Sequence, residues 1–199
     1  MNQKLIIGIL VALVLVGVGI FGLGKLSTTP NGTNPNPKKD IVTQDWKTYQ
    51  NGQSGFEIGY PSNWTMLENS GDNADPSVIS LIGPETQEMI RNKKTSSSCD
   101  LSVYYYSSMA DEPENKINGF KADTLEEIVD KNQMVTRIGQ TTLGGEPAID
   151  VIWGGAGASY TILSDHGNHL YKISSCNKER RDLLTKTEMG ILETFKFIK

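Results

Sequence analysis

Two histidines and an aspartate fall within five residues at Asp165-His166-Gly-Asn-His169, and the chain contains no other histidine. Imidazole nitrogens beside a carboxylate are donors that zinc and other borderline cations accept. The same residue types also build a tight reversal between strands, since Gly and Asn tolerate positive φ and Asp and His tolerate exposure. No third, distant ligand can be named, so the stretch reads as a turn, with Asp165, His166 and His169 as weak metal candidates. Cys99 and Cys176 are the only cysteines. Bonded, they would close a long loop and stabilise the fold by at most roughly 4.5 kcal/mol in the chain-entropy account. Unbonded, they are two separate buried thiols, and no C-x-x-C spacing marks them as a reactive or metal-binding pair.

Three further groupings carry less. Ser107, Asp111 and His166 supply the residue types of a nucleophile, an orienting acid and a base, but no Gly-x-Ser-x-Gly elbow exposes the serine. Gly154-Gly-Ala-Gly-Ala158 lacks the Lys-Ser/Thr that completes a phosphate loop and reads as a loop or bulge. Asp111-Glu112-Pro-Glu114 lacks the spaced oxygens and the glycine of a calcium loop and reads as a solvated acidic stretch. No catalytic residue, cofactor-binding residue or cofactor is predicted.

The elements around these residues begin with hydrocarbon. Between residues 5 and 23, fourteen of nineteen positions are Leu, Ile, Val or Phe, and no charge separates Lys4 from Lys25. Nineteen helical residues at about 1.5 Å each span roughly 28 Å, against a hydrocarbon core of about 30 Å. Residues 1–26 therefore read as a transmembrane signal anchor. The competing cleaved signal peptide has only Gly22-Leu23-Gly24 as a processing site. Lysines on both sides leave the charge rule undecided, and the short N-terminal tail places the remainder of the chain outside the cytoplasm by the habit of signal anchors. Residues 27–40 contain three prolines, three asparagines and no apolar residue, the composition of a flexible tether. Beyond the anchor stand 17 basic and 23 acidic residues, because Lys4 and Lys25 are the only charges before Ser27, and a net charge of −6 excludes a basic nucleic-acid footprint.

Residues 41–199 suffice for one domain with a core. Phe56, Ile58 and Tyr60 alternate up to Pro61, which predicts a strand ended by a turn. A short strand over 78–82 closes at Gly83-Pro84. Leu101, Val103 and Tyr105 share one strand face, and Tyr104 and Tyr106 the other. Thr124 with Glu127 makes a capping box for a helix to Lys131. Two hairpins follow, 135–142 with 148–153 around Leu143-Gly144-Gly145-Glu146-Pro147, and 159–163 with 170–174 around 165–168. A helix over 179–191 carries Leu183, Leu184, Thr187 and Ile191, and Phe195-Lys-Phe197 ends the chain. The fold class is α+β, with a central antiparallel β-sheet, helices packed on its faces and one transmembrane helix before it.

Three segments carry a family resemblance. They are Tyr49-Gln-Asn-Gly-Gln-Ser-Gly-Phe56-Glu-Ile-Gly-Tyr60-Pro61-Ser-Asn-Trp64, Leu143-Gly-Gly-Glu-Pro-Ala148 and Ile191-Leu-Glu-Thr-Phe195-Lys-Phe197. Together they resemble the PsbP-like family. The resemblance implies an α/β/α sandwich and a non-catalytic accessory role. The best-known members of that family are accessory proteins of photosystem II in the thylakoid lumen, and another branch of the fold binds the small GTPase Ran. The resulting expectation is a membrane-anchored, extracytoplasmic, non-catalytic binding or accessory module. Its partners would be the bilayer, through the N-terminal helix, and a protein at the membrane surface, with no nucleic acid. A small-ligand sensor and a metal-dependent enzyme are the alternatives.

Overall fold

A computed structural model describes residues 45–69, 77–95, 99–112, 122–154 and 157–199. The predicted anchor and the tether at 27–40 lie outside these residues. No helix among the described residues is long and apolar enough to cross a membrane. All described residues belong to one compact unit, Ile41–Lys199.

The elements run β1 (Trp46–Asn51), β2 (Phe56–Pro61), β3 (Thr65–Asn69), β4 (Ser77–Ile82), α1 (Pro84–Arg91), β5 (Leu101–Tyr106), α2 (Leu125–Lys131), β6 (Val135–Leu143), β7 (Glu146–Trp153), β8 (Ser159–His166), β9 (His169–Ser175), α3 (Lys186–Thr194) and β10 (Lys196–Phe197). A seven-stranded antiparallel sheet has the order β3-β4-β5-β9-β8-β7-β6. Two meanders thus meet at the β5–β9 pairing, where Val103 lies opposite Ile173. A smaller sheet, β1-β2-β10, joins the start of the unit to its end.

Alternation along the strands splits the core in two. One face of the large sheet carries Leu81, Leu101, Val103, Ile162 and Ile173, covered by Phe56 and Ile58 of the small sheet and by Ile191 and Phe195 at α3. The other carries Tyr106, Ile149, Val151, Leu163 and Leu170, covered by Ile128 and Val129 of α2. The fold is β-rich with few helices, and a second sheet shares the first face with α3.

Helix starts follow local chemistry. In α2, Thr124 Oγ1 accepts from the Glu127 backbone N–H at 3.2 Å, while the Glu127 carboxylate accepts from Asp123 N–H at 2.8 Å, one residue before the cap. The helix expected over 179–191 instead begins at Lys186. Thr185 Oγ1 accepts from Glu188 N–H at 3.1 Å and Glu188 Oε2 from Thr185 N–H at 2.6 Å, a full capping box that outranks the apolar spacing upstream. Leu183 therefore lies outside the helix, half exposed in a 3₁₀ turn, Arg181–Leu183. Helix α1 was not foreseen. Pro84 sits at its first turn, where the missing N–H costs nothing, and Asp100 accepts from Gly83 N–H at 2.6 Å and Thr86 Oγ1 at 2.7 Å.

Candidate functional site

The β8–β9 reversal is a two-residue turn with positive φ at Gly167 and Asn168, the geometry that matches strand twist. It sets His166 directly opposite His169, yet the two rings diverge. His169 Nδ1 lies 3.0 Å from the Ser107 carbonyl oxygen and 3.2 Å from the Tyr105 hydroxyl. A carbonyl only accepts, so Nδ1 carries the proton. His166 stacks on Phe197 at 4.2 Å between ring centres, with Nδ1 3.9 Å from Glu146 Oε1. Asp165 is exposed. Among the described residues no three His, Cys, Asp or Glu side chains are grouped to hold a metal ion.

The other groupings resolve into structural contacts. Ser107 Oγ and Ser108 Oγ both donate to Asp111 Oδ2, at 2.9 and 2.7 Å, closing the turn before a 3₁₀ segment, Met109–Asp111. Asp111 thus holds serines and no histidine, and the imidazole near Ser107 is His169, bonded to its carbonyl. Glu112 departs from the solvated reading. It is 1% exposed and pairs with Lys172 at 3.5 Å, while the Lys172 ammonium lies 3.6 Å above the Trp153 ring and 5.5 Å from Tyr104. The indole face offers the buried cation further electrostatic compensation. Glu114 and residues 155–156 of the glycine-rich stretch lie outside the described residues. Cys99 and Cys176 are joined as a disulfide with Cα atoms 5.7 Å apart, and Ser102 Oγ lies 3.2 Å from Cys99 Sγ. Cys176 N–H donates to the Asp100 carbonyl at 2.9 Å, so the backbone also ties these segments.

Sequence reading missed the concavity of this unit. The β6–β7 turn has positive φ at Gly144 and Gly145, and a Cβ added at Gly144 would lie 3.0 Å from the Phe197 ring. Only glycine allows both that backbone and that approach. Between this turn, Arg181 and α3 opens a groove of about 410 Å³. Leu143, Ile162, Leu192 and Phe195 supply its apolar lining, and Arg181, Glu193 and Lys196 its charges. Buried Asp150 holds the arginine, accepting from Arg181 Nη1 at 3.3 Å and from Tyr160 Oη at 2.7 Å. Arg181 Nη1 also donates to Thr141 Oγ1 at 3.2 Å. Burial first, and then the hydrogen bond to Asp150, pushes the Tyr160 hydroxyl above its ordinary range, so it stays a donor at neutral pH. The groove draws on four separate stretches of the chain, at 141–145, 162, 181 and 189–196, and the Leu143-Gly144-Gly145 signal for it reads locally as a turn.

Comparison with known proteins supplies the family. Residues 6–197 match the model of the PsbP-like protein family. Among solved structures, the chain is similar to the solution structure of cyanobacterial PsbP (CyanoP) from Synechocystis sp. PCC 6803, at 12% identity and a TM-score of 0.42, covering 77% of this chain and 92% of that one. No curated protein matches the chain. The family match runs through nearly the whole sequence and takes in all three segments noted above, and the chain belongs to the PsbP-like family.

Proposed function

We propose that this chain is a membrane-anchored, extracytoplasmic accessory module that binds a protein partner at the membrane surface and performs no chemistry of its own. The observation that carries the reading is how its reactive groups are used. His169 is bonded to Ser107 and Tyr105, Asp111 to two serine hydroxyls, Asp150 to Tyr160 and Arg181, and Glu112 to Lys172. Groups fixed in structural contacts hold strands and turns in register and are poorly placed to cycle protons. Family membership supports the accessory role. The length and composition of residues 5–23 support the anchor. The paired cysteines support the outer side, because disulfides persist in oxidising compartments. The kinship of fold with Ran-binding proteins is fold-level analogy and assigns no residue here.

Thiol labelling on intact and lysed cells, read by mass, tests the reading. Cys99 and Cys176 should label only after reduction, on a chain of full-length mass, and crosslinking should then capture the partner from outside. Thiols that react on lysis without reductant would place the unit in the cytoplasm and overturn the proposal.

A further inference from the structure

We infer that the free edge of β6 at residues 139–143 is where the protein partner docks, by adding an extended segment of its own chain as a further antiparallel strand with a carboxylate opposite Thr141. The inference rests on the binding-module reading and deepens it by naming the surface and the form of the partner.

An edge strand leaves a row of backbone donors and acceptors unpaired, and folded proteins blunt such rows with short strands, charges or bulges. The edges here are β3 and β6 in the large sheet and β1 and β10 in the small one. β3 is five residues long and carries Glu68, β1 carries Lys47, and β10 is two residues long and carries Lys196. β6 is the longest of them at nine residues. A register shift between Arg137 and Gly139, and the arginine itself, guard its first half. Past the shift the pairing with β7 is regular, and no charged residue occurs from Ile138 to Gly145.

Thr142 lies opposite Pro147, which has no N–H and whose carbonyl oxygen accepts from Ser164 Oγ of β8 at 3.2 Å. Thr142 therefore turns its own N–H and C=O away from β7, and by the alternation of an antiparallel ladder Gln140 does the same. No loop or helix among the described residues takes up these groups, and both residues are exposed. Donors and acceptors repeated two residues apart on one edge are the complement of another extended backbone.

Charge decides between occupants. The pairing of β6 with a second copy of itself that joins both free positions sets Thr141 opposite Thr141. Arg181 Nη1 donates to Thr141 Oγ1 at 3.2 Å, so that pairing would bring two guanidinium groups together at its centre. The Arg181 side chain is 45% exposed and that of Asp150 only 10%, so the charge a docked strand meets is positive. Asp150 and the Tyr160 hydroxyl hold the guanidinium on its buried side. A Glu or Asp opposite Thr141 on an incoming strand projects from the sheet face on which Arg181 stands.

Fluorescence anisotropy of the full-length chain in lipid nanodiscs tests this with the peptide Ser-Val-Thr-Glu-Thr-Val-Ser, labelled at its N-terminus and amidated, and its counterpart with Gln for Glu. The Glu peptide should bind, and the Gln peptide about threefold more weakly, the scale of an exposed ion pair. Arg181→Gln should erase that difference. Thr142→Pro removes one outward N–H at an edge position that tolerates proline and should weaken both peptides at least about tenfold, while Thr142→Val keeps the N–H and should change nothing. A Glu peptide N-methylated at both threonines, which cannot donate from its pairing edge, should not bind the unaltered chain. Amide hydrogen exchange should slow at Gln140 and Thr142 on adding the Glu peptide and stay unchanged along β1 and β3. Thermal melts separate lost binding from lost folding. No binding of the Glu peptide, equal binding of the Glu and Gln peptides, binding of the methylated one, or protection on β1 or β3 overturns the inference. Protection of β6 that needs no peptide and grows with the number of copies per disc makes the occupant a second copy and overturns it too. Thiol labelling reads the compartment and the peptide titration reads the edge, so either proposal can fail alone.

Discussion

The two faces of the seven-stranded sheet solve the same burial problem with different materials. One lies under a second sheet and α3, and aromatic rings fill the space, with Phe56 stacked on Phe195 at 5.5 Å and edge-on to Tyr171 at 6.3 Å. Its charged pairs bury only their carboxylates, Glu188 paired with Lys178 beside the capping box and Asp150 with Arg181, while both cations reach solvent. The other lies under a seven-residue helix and a short turn, and it encloses the Lys172–Glu112 pair with Trp153. On this second face cation and carboxylate are both enclosed, a long lysine stem against an indole, and stability there depends on the pair remaining whole.

The largest effect should come from breaking that pair. Lys172→Met leaves Glu112 buried without this cation and should cost about 3–5 kcal/mol in urea unfolding, whereas Lys172→Met with Glu112→Leu should recover most of the loss. A cost below about 1 kcal/mol for the single change would make the two faces energetically alike.

The aromatic face should show its character in alkali. Burial, and then the neighbouring Tyr105, raises the Tyr171 hydroxyl to about 12 from 10.0, and it donates to the Ser54 carbonyl at 2.8 Å. Because the folded value lies above the unfolded one, the neutral form is the one folding favours. Its contribution is complete below pH 10 and is lost as pH rises from 10 toward 12, by roughly 2–3 kcal/mol in full. Urea unfolding at a series of alkaline pH values should show that decline, and Tyr171→Phe should flatten it. The smallest effect is local. Thr185→Ala removes one half of the α3 capping box and should cost about 1 kcal/mol by thermal melting, with the Lys178–Glu188 pair still in place.

Much of the strand order's raw material is legible in sequence. Alternation at Leu101, Val103 and Tyr105 against Tyr104 and Tyr106 separates the two cores, and the glycine turns mark both late hairpins. Thr124 with Glu127 announces α2. Thr185 with Glu188 announces α3 by the same rule, but Leu183 and Leu184 extend the apparent stripe backwards and hide it. The α1 helix is concealed by Gly83-Pro84, which ends one element and starts the next. Long-range features are invisible for a simpler reason. Glu112 sits in an acidic run that reads as solvated until β9 brings Lys172 across it, and Arg181 gains its role only when Asp150 arrives from β7. Spacing along a chain encodes local geometry, while charge pairs and grooves arise from which distant strands become neighbours.

The small sheet has a consequence for synthesis. Strand β10 pairs with β2 through Phe197 opposite Phe56, Ile198 N–H donates to the Gly55 carbonyl, and Lys196 reaches Glu57 across 139 residues. A nascent chain makes the β1–β2 hairpin first, as a two-stranded ribbon that is marginal by itself in water. Its third strand emerges only after every strand of the large sheet, so this early ribbon is sealed late. Until residues 196–198 arrive, Phe56 and Ile58 lack part of their cover, and the ribbon is a free edge open to chaperones, proteases or a second nascent copy.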